Sequence, residues 1–134
     1  MKKLLCACVL VMLIAGSAFA AKADLDLTKF SSVMVYSGLF NVMANPYAYR
    51  GKTIKLKGYF DAYHDDLTGK DYFGVMVMDA SACCATGLDF VLKGEHKYPE
   101  DYPETGAVIT VMGKFDVYTE GEEIFCHLVD AEIM

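Results

Sequence analysis

Two periodicities divide the chain. Between residues 31 and 44 apolar side chains recur every three or four positions, at Val35, Tyr36, Leu39, Phe40 and Met43, with Ser37 and Asn41 opposite. That spacing predicts a helix with one apolar stripe turned toward a core. Ser31 or Ser32 supplies its cap. Asn45-Pro46 ends it, because proline disfavours helical backbone in the residue before it. From Gly51 the period falls to two. Ile54, Leu56, Phe60 and Ala62 point one way, and Thr53, Lys55, Lys57, Tyr59 and Asp61 the other, which predicts a long strand. Gly58 takes an inward slot in its middle, where a missing side chain lets a strand bend sharply.

D-D-L-T-G-K-D (65–71) reads as the following turn, and 72–78 as a second strand. The acidic residues of that turn do not have the spacing of an EF-hand loop. A loop holding Cys83 and Cys84 follows, and Leu88, Phe90 and Leu92 then alternate along a short third strand. Residues 94–106, with two prolines and five charged side chains, predict a long surface connection. Ile109, Val111, Phe115 and Val117 define a fourth strand with Gly113 at its middle, 119–122 turns it, and 123–131 is the fifth.

The two long strands match each other. G-K-T-I-K-L-K-G-Y-F-D-A-Y (51–63) aligns without gaps to G-A-V-I-T-V-M-G-K-F-D-V-Y (106–118), sharing Gly, Ile, Gly, Phe, Asp and Tyr. Two equivalent binding lobes would leave this trace. So would two glycine-bent strands of one closed sheet, and that is the reading we adopt, since alternation and a central glycine account for most identities. The expected fold is mainly β: a small five-stranded OB-like Greek-key barrel with one N-terminal helix closing one end. A small antiparallel sandwich is the alternative.

Composition changes the picture at the N-terminus. Lys2 and Lys3, an apolar run over 4–15 and Ala18-Phe19-Ala20 have the pattern of a secretory signal cleaved after Ala20, or after Ala23. The run is shorter than the ~20 residues of a spanning helix. The expected domains are a signal over 1–20, a mobile lead-in over 21–30 and a single domain over 31–134, exported to the periplasm or outside the cell. Losing Lys2 and Lys3 leaves 10 basic residues against 18 acidic ones, a net charge near −8. That balance argues against nucleic acid or anionic lipid as a partner. On the same grounds the outward tyrosines Tyr59, Tyr63 and Tyr118 are read as ordinary sheet-surface aromatics rather than base-stacking platforms.

Three cysteines then remain, Cys83, Cys84 and Cys126, in a compartment that favours disulfides. Thiolates suit Zn²⁺ or Cu(I), and Cys126 on the fifth strand is the natural third ligand to the Cys83-Cys84 pair. A disulfide from Cys83 or Cys84 to Cys126, or free thiols, are the alternatives. His127 alternates with Cys126 and faces the other way. His64 lies at a turn and His96 in the long connection, so no base is placed beside a thiol. No zinc-protease, phosphate-loop, nucleophile-elbow or dinucleotide motif occurs, and no enzymatic activity is expected.

Y-R-G-K-T-I-K-L-K-G (49–58), the strand leading into Cys83-Cys84, and Gly87 opening the next strand carry a resemblance. Over residues 49–131 the chain is similar to the soluble OB-like domain of two-gene permease subunits, and to small exported bacterial proteins with a Cys-Cys loop. The resemblance implies an accessory or binding role beside a transporter or other envelope protein, and no catalytic residue. Unlike the permease-linked proteins, this chain has no membrane span once a signal is removed. The expected function is an exported binding or accessory module, with a soft metal held by the three cysteines. A thiol-redox protein, or a disulfide-stabilised interaction protein, is the alternative.

Overall fold

The computed structural model describes residues 22–134, so the expected signal lies outside the described residues. The elements are β1 (Leu25–Asp26), a 3-10 turn (Leu27–Lys29), α1 (Ser32–Ala44), α2 (Pro46–Tyr49), β2 (Thr53–Asp65), β3 (Lys70–Met78), β4 (Ala85–Leu92), β5 (Val108–Glu120) and β6 (Glu123–Ile133). The fold is mainly β, with one sheet of six strands rather than five. Its order is β1-β2-β3-β4-β6-β5, and β5 pairs back onto β2, so the sheet closes into a ring. Neighbours in the ring are antiparallel except β4 and β6, which run parallel.

The extra strand falls in the segment expected to be a mobile lead-in. Leu25 pairs with Ile54 in parallel register, and Leu27 is buried in the core. Local polar residues hold this turn. The Asp26 carboxylate accepts from the backbone N–H and hydroxyl of Thr28, and Asp24 accepts from the N–H of Thr53 at 2.8 Å. Gly38 of α1 leaves space beneath Leu27, since a Cβ there would stand 3.0 Å from the Leu27 side chain.

The helix forms where expected, with Ser31 at the N-cap position but making no side-chain capping bond and Asn45 as C-cap, and its buried face is rotated. Val35, Leu39 and Val42 enter the core and Tyr36 packs partly against it, whereas Phe40 is 62% and Met43 37% exposed. The helix is apolar nearly all round, so periodicity marks its existence but not its phase. The i, i+4, i+7 row of three compact branched residues is the one that fits the ring.

Helix α1 meets the β3–β4 pair near its Met78↔Ala85 end, where the Thr86 hydroxyl lies 3.9 Å from Met43 Sδ. Connection 94–106 serves the opposite end. It lies on the surface as expected, yet Tyr102 turns inward and stacks on Phe73 at 4.0 Å between ring centroids. Phe60 and Phe90, both fully buried, complete that aromatic layer.

Each long strand shifts its pairing near its glycine. β2 pairs with β5 over residues 53–59 and with β3 from Tyr59 onward. β5 pairs with β2 over residues 108–114 and with β6 over 111–120, with a register shift in the second pairing between Met112 and Lys114. A Cβ at Gly58 would strike the Met76 carbonyl oxygen and lie 2.7 Å from a Val75 methyl. One at Gly113 would sit 3.0 Å from the Cβ atoms of Ala131 and Leu128. Gly58→Val and Gly113→Val should each destabilise the fold by on the order of 1–3 kcal/mol, read as lower melting temperatures with the same sheet signal in circular dichroism. Unchanged melting of both variants would mean that neither strand needs its glycine to turn.

Candidate functional site

The Cys83-Cys84 loop is a tight turn built on Asp79. The Asp79 N–H donates to the Cys84 carbonyl at 2.9 Å, and the Ala82 N–H to the Asp79 carbonyl at 3.1 Å. Ala82 takes a left-handed conformation, φ 54°, which turns the chain back. The Asp79 carboxylate accepts from the N–H groups of Ser81 and Cys83 and from the Ser81 hydroxyl. Burial pushes that carboxyl up, but these hydrogen bonds outweigh it and hold it below the usual carboxylate range.

This turn makes adjacent cysteines converge. Their sulfurs lie 3.3 Å apart, and one carboxylate oxygen of Asp79 joins them with all three donor atoms within 4.8 Å of one another. It is the one such group of three potential metal donors among the described residues. The three cysteines among the described residues are free thiols. The hydrogen bond with Cys83, then the Asp79 charge and burial, push the Cys84 thiol up. It is therefore protonated at neutral pH, unlike a nucleophilic cysteine, whose pKa is lowered.

Cys126 does not join this group. It packs partly against the core from β6, in a small cavity beside Met43, Gly87 and Ile124. Burial pushes its thiol up as well. The third member beside Cys83 and Cys84 is thus a carboxylate from the start of their own loop rather than a thiol from a distant strand. The histidines are engaged elsewhere. His64 Nδ1 lies 2.6 Å from Asp71, His96 Nε2 lies 2.8 Å from the Lys93 carbonyl, and the His127 ring sits 4.4 Å from that of Tyr118.

A second site emerges on the outer face of the ring. The β2–β3 and β5–β6 hairpins project as two arms, and between them lies a cleft of about 510 Å³. Each arm carries an aromatic pair in direct cross-strand register, Tyr63↔Tyr72 on one and Tyr118↔Phe125 on the other. The second pair stacks at 5.6 Å. Gly74, Met76 and Asp89 line the cleft between the walls, and Asp61, Asp65 and Glu120 add further carboxylates. The arms touch through Glu120, which accepts from the Tyr72 hydroxyl at 3.4 Å and lies 3.8 Å from Lys70 Nζ.

Asp89 is the unusual group. It stands opposite Gly74 on β3, and a Cβ at Gly74 would come within 3.1 Å of its carboxylate oxygen. Burial pushes the Asp89 carboxyl above its ordinary range, and no hydrogen bond or neighbouring cation opposes that shift. His127, its register partner on β6, is pushed toward the neutral form by burial, only partly opposed by Asp116.

Sequence reading passed over these walls, although Tyr63 and Tyr118 are among the outward tyrosines it identified. The usable signal was the internal repeat, whose last identity places these two tyrosines at equivalent points of the two long strands.

Comparison with protein-family models, with curated proteins and with solved structures found no match for this chain. Among the described residues no helix is long and apolar enough to cross a membrane.

The cleft carries a stability test. Because the folded carboxyl of Asp89 binds its proton more tightly than the unfolded one, its ionisation opposes folding as pH rises through the raised value, and not below the unfolded pKa. Asp89→Asn should therefore melt higher than the native protein at neutral pH, with the gap closing near pH ~3, below the usual aspartate value. A variant that melts lower at neutral pH would show that the carboxylate is stabilised by a partner.

Proposed function

We propose that the protein is an exported binding module without catalytic activity, an OB-like ring that takes a small ligand in the cleft between its hairpin arms. The observation that carries this reading is the cleft itself, a concave space with facing aromatic walls and a few convergent polar groups, as ligand sites are built. Support for the OB-like part comes from the strand order, with β2 and β5 long and bent and the β4–β6 pair parallel. OB folds bind ligands on the face between their first and fourth hairpin loops, and the cleft lies between the corresponding arms. The non-catalytic part rests on a sequence without a nucleophile–base motif, and on a Cys84 thiol that resists ionisation. Export rests on the basic, apolar and Ala-x-Ala pattern of the first 20 residues. The resemblance to permease-linked domains makes an envelope transporter the proposed class of protein partner.

The test is a set of small molecules of mixed charge and polarity, added singly to isotope-labelled protein and followed by nuclear magnetic resonance. Saturable shifts gathered on Tyr63, Tyr72, Tyr118 and Asp89 are expected. Saturable shifts gathered on another face, or none across the set, would overturn the cleft as the binding site.

A second reading is favoured by the 3.3 Å approach of the Cys83 and Cys84 sulfurs beside Asp79: a soft-metal site for Zn²⁺ or Cu(I) with two thiolates and one carboxylate. Because Cys84 must lose a proton to bind, affinity should rise with pH. Protein purified without chelator should carry stoichiometric zinc or copper by mass spectrometry. Cys83→Ser or Cys84→Ser should remove it and Cys126→Ser should retain it. Metal-free protein that binds neither added ion would reject this reading, and loss of metal in Cys126→Ser would restore the three-cysteine set.

A further inference from the structure

The cleft is more selective in its chemistry than a generic apolar pocket. We infer that it takes a small organic cation, an alkylammonium or quaternary ammonium group, seated between the two cross-strand aromatic pairs with Asp89 as its counter-charge. This rests on the cleft being the binding site proposed above.

Three features point to charge as well as shape. The walls present aromatic rings from both arms, and ring faces carry negative potential that attracts a desolvated cation. Among the described residues no lysine, arginine or histidine lines the space. Lys70 is exposed and already lies against Glu120. Finally, Asp89 is held at partial burial with no hydrogen bond or cation to offset the loss of water. Its place over Gly74 depends on the absence of a side chain there.

That third feature separates ligand classes. An ionised carboxylate out of water costs free energy unless a positive charge or a hydrogen-bond donor meets it. Among the described residues no protein group meets it. The titratable groups around Asp89 are Asp61, Tyr63 and Asp65 on β2, Asp71 and Tyr72 on β3, Tyr102 in the 94–106 connection, Tyr118 and Glu120 on β5, and Cys126 and His127 on β6. They offer several anions, and His127 is held toward its neutral form by burial. An anionic ligand would meet four carboxylates, Asp61, Asp65, Asp89 and Glu120. A neutral one would leave the Asp89 charge uncompensated. An ammonium ion compensates it and uses the ring faces together. The volume of about 510 Å³ exceeds what a trimethylammonium head needs, so the ligand has room for a tail leaving between the arms.

The experiment compares choline with its uncharged carbon isostere, in which a tert-butyl group replaces trimethylammonium. Both are titrated against labelled full-length mature protein by nuclear magnetic resonance. Choline should shift the ring signals of Tyr63, Tyr72 and Tyr118 and saturate at a concentration about tenfold below the isostere, an advantage that falls with added salt. Asp89→Asn, expected to be the more stable protein, should abolish that advantage. Tyr118→Leu should weaken choline by a similar factor and Tyr118→Phe should retain it. Equal binding of the isostere in the cleft would overturn the cationic class and leave the cleft as the site. Absence of choline shifts in the cleft would also overturn it, and the mixed-charge set then decides separately whether the cleft binds anything. Full retention of the choline advantage in Asp89→Asn would overturn Asp89 as the counter-charge.

Discussion

Ring closure is the constraint on which the outer surface depends. β2 is held by β5 over its first half and by β3 over its second, β5 by β2 over 108–114 and by β6 over 111–120, and near each change of pairing lies a glycine whose Cβ would crowd the inner wall. A strand that kept one partner throughout would leave an open edge, with its unpaired backbone groups exposed. Beyond each crossover the strand continues as half of a hairpin arm. The arms are consequences of closure, and the cleft is the space between them. The N-terminal segment depends on the same geometry, because β1 can add to β2 only where β2 has left β3 for β5.

Within the cleft, the arrangement of polar groups departs from what stability alone would favour. Several other aspartates are partnered. Asp26, Asp65 and Asp79 each accept hydrogen bonds from their own turns, and Asp116 pairs with Arg50 at 3.0 Å. Asp89 lacks such an arrangement and sits more deeply than these. A core-facing residue would be apolar and a solvent-facing one would keep its water, so a half-buried carboxylate without a partner is a departure of the kind found at binding sites. Gly74 makes the same point from the other strand, since a side chain there would crowd the carboxylate.

The strands were legible because period two is a strong signal when one face is buried, and the glycines at 58 and 113 marked the bends. Helix α1 was legible in extent but not in phase, since Phe40 and Val42 are equally apolar and only packing chooses between them. The two-residue β1 was hidden because its pairing is with a distant strand and leaves no local period. Cys126 illustrates a similar limit. Strand adjacency was readable, but whether a side chain on β6 reaches the Asp79 turn depends on register, and β4 and β6 change register between Phe90 and Leu92. Asp79 carries no comparable signal in the sequence, because its role depends on a turn closed through a left-handed alanine.

The internal repeat illustrates how similar architecture can acquire different chemistry. Its equivalent tyrosines, Tyr63 and Tyr118, become opposite walls of one cleft rather than two sites. The aspartates two residues earlier diverge: Asp61 lines the cleft, whereas Asp116 is tied to Arg50 outside it. The partner strands diverge too, with Tyr72 able to hydrogen-bond Glu120 across the arms and Phe125 offering only its ring. One arm therefore supplies polar reach and the other a stacked apolar face backed by His127. A symmetric pair of lobes would bind two like ligands or none. Two unlike arms closing on one carboxylate favour a single ligand with a charged end and an apolar flank, and that asymmetry comes from what surrounds the repeat, since Asp61 and Asp116 are themselves a matched pair.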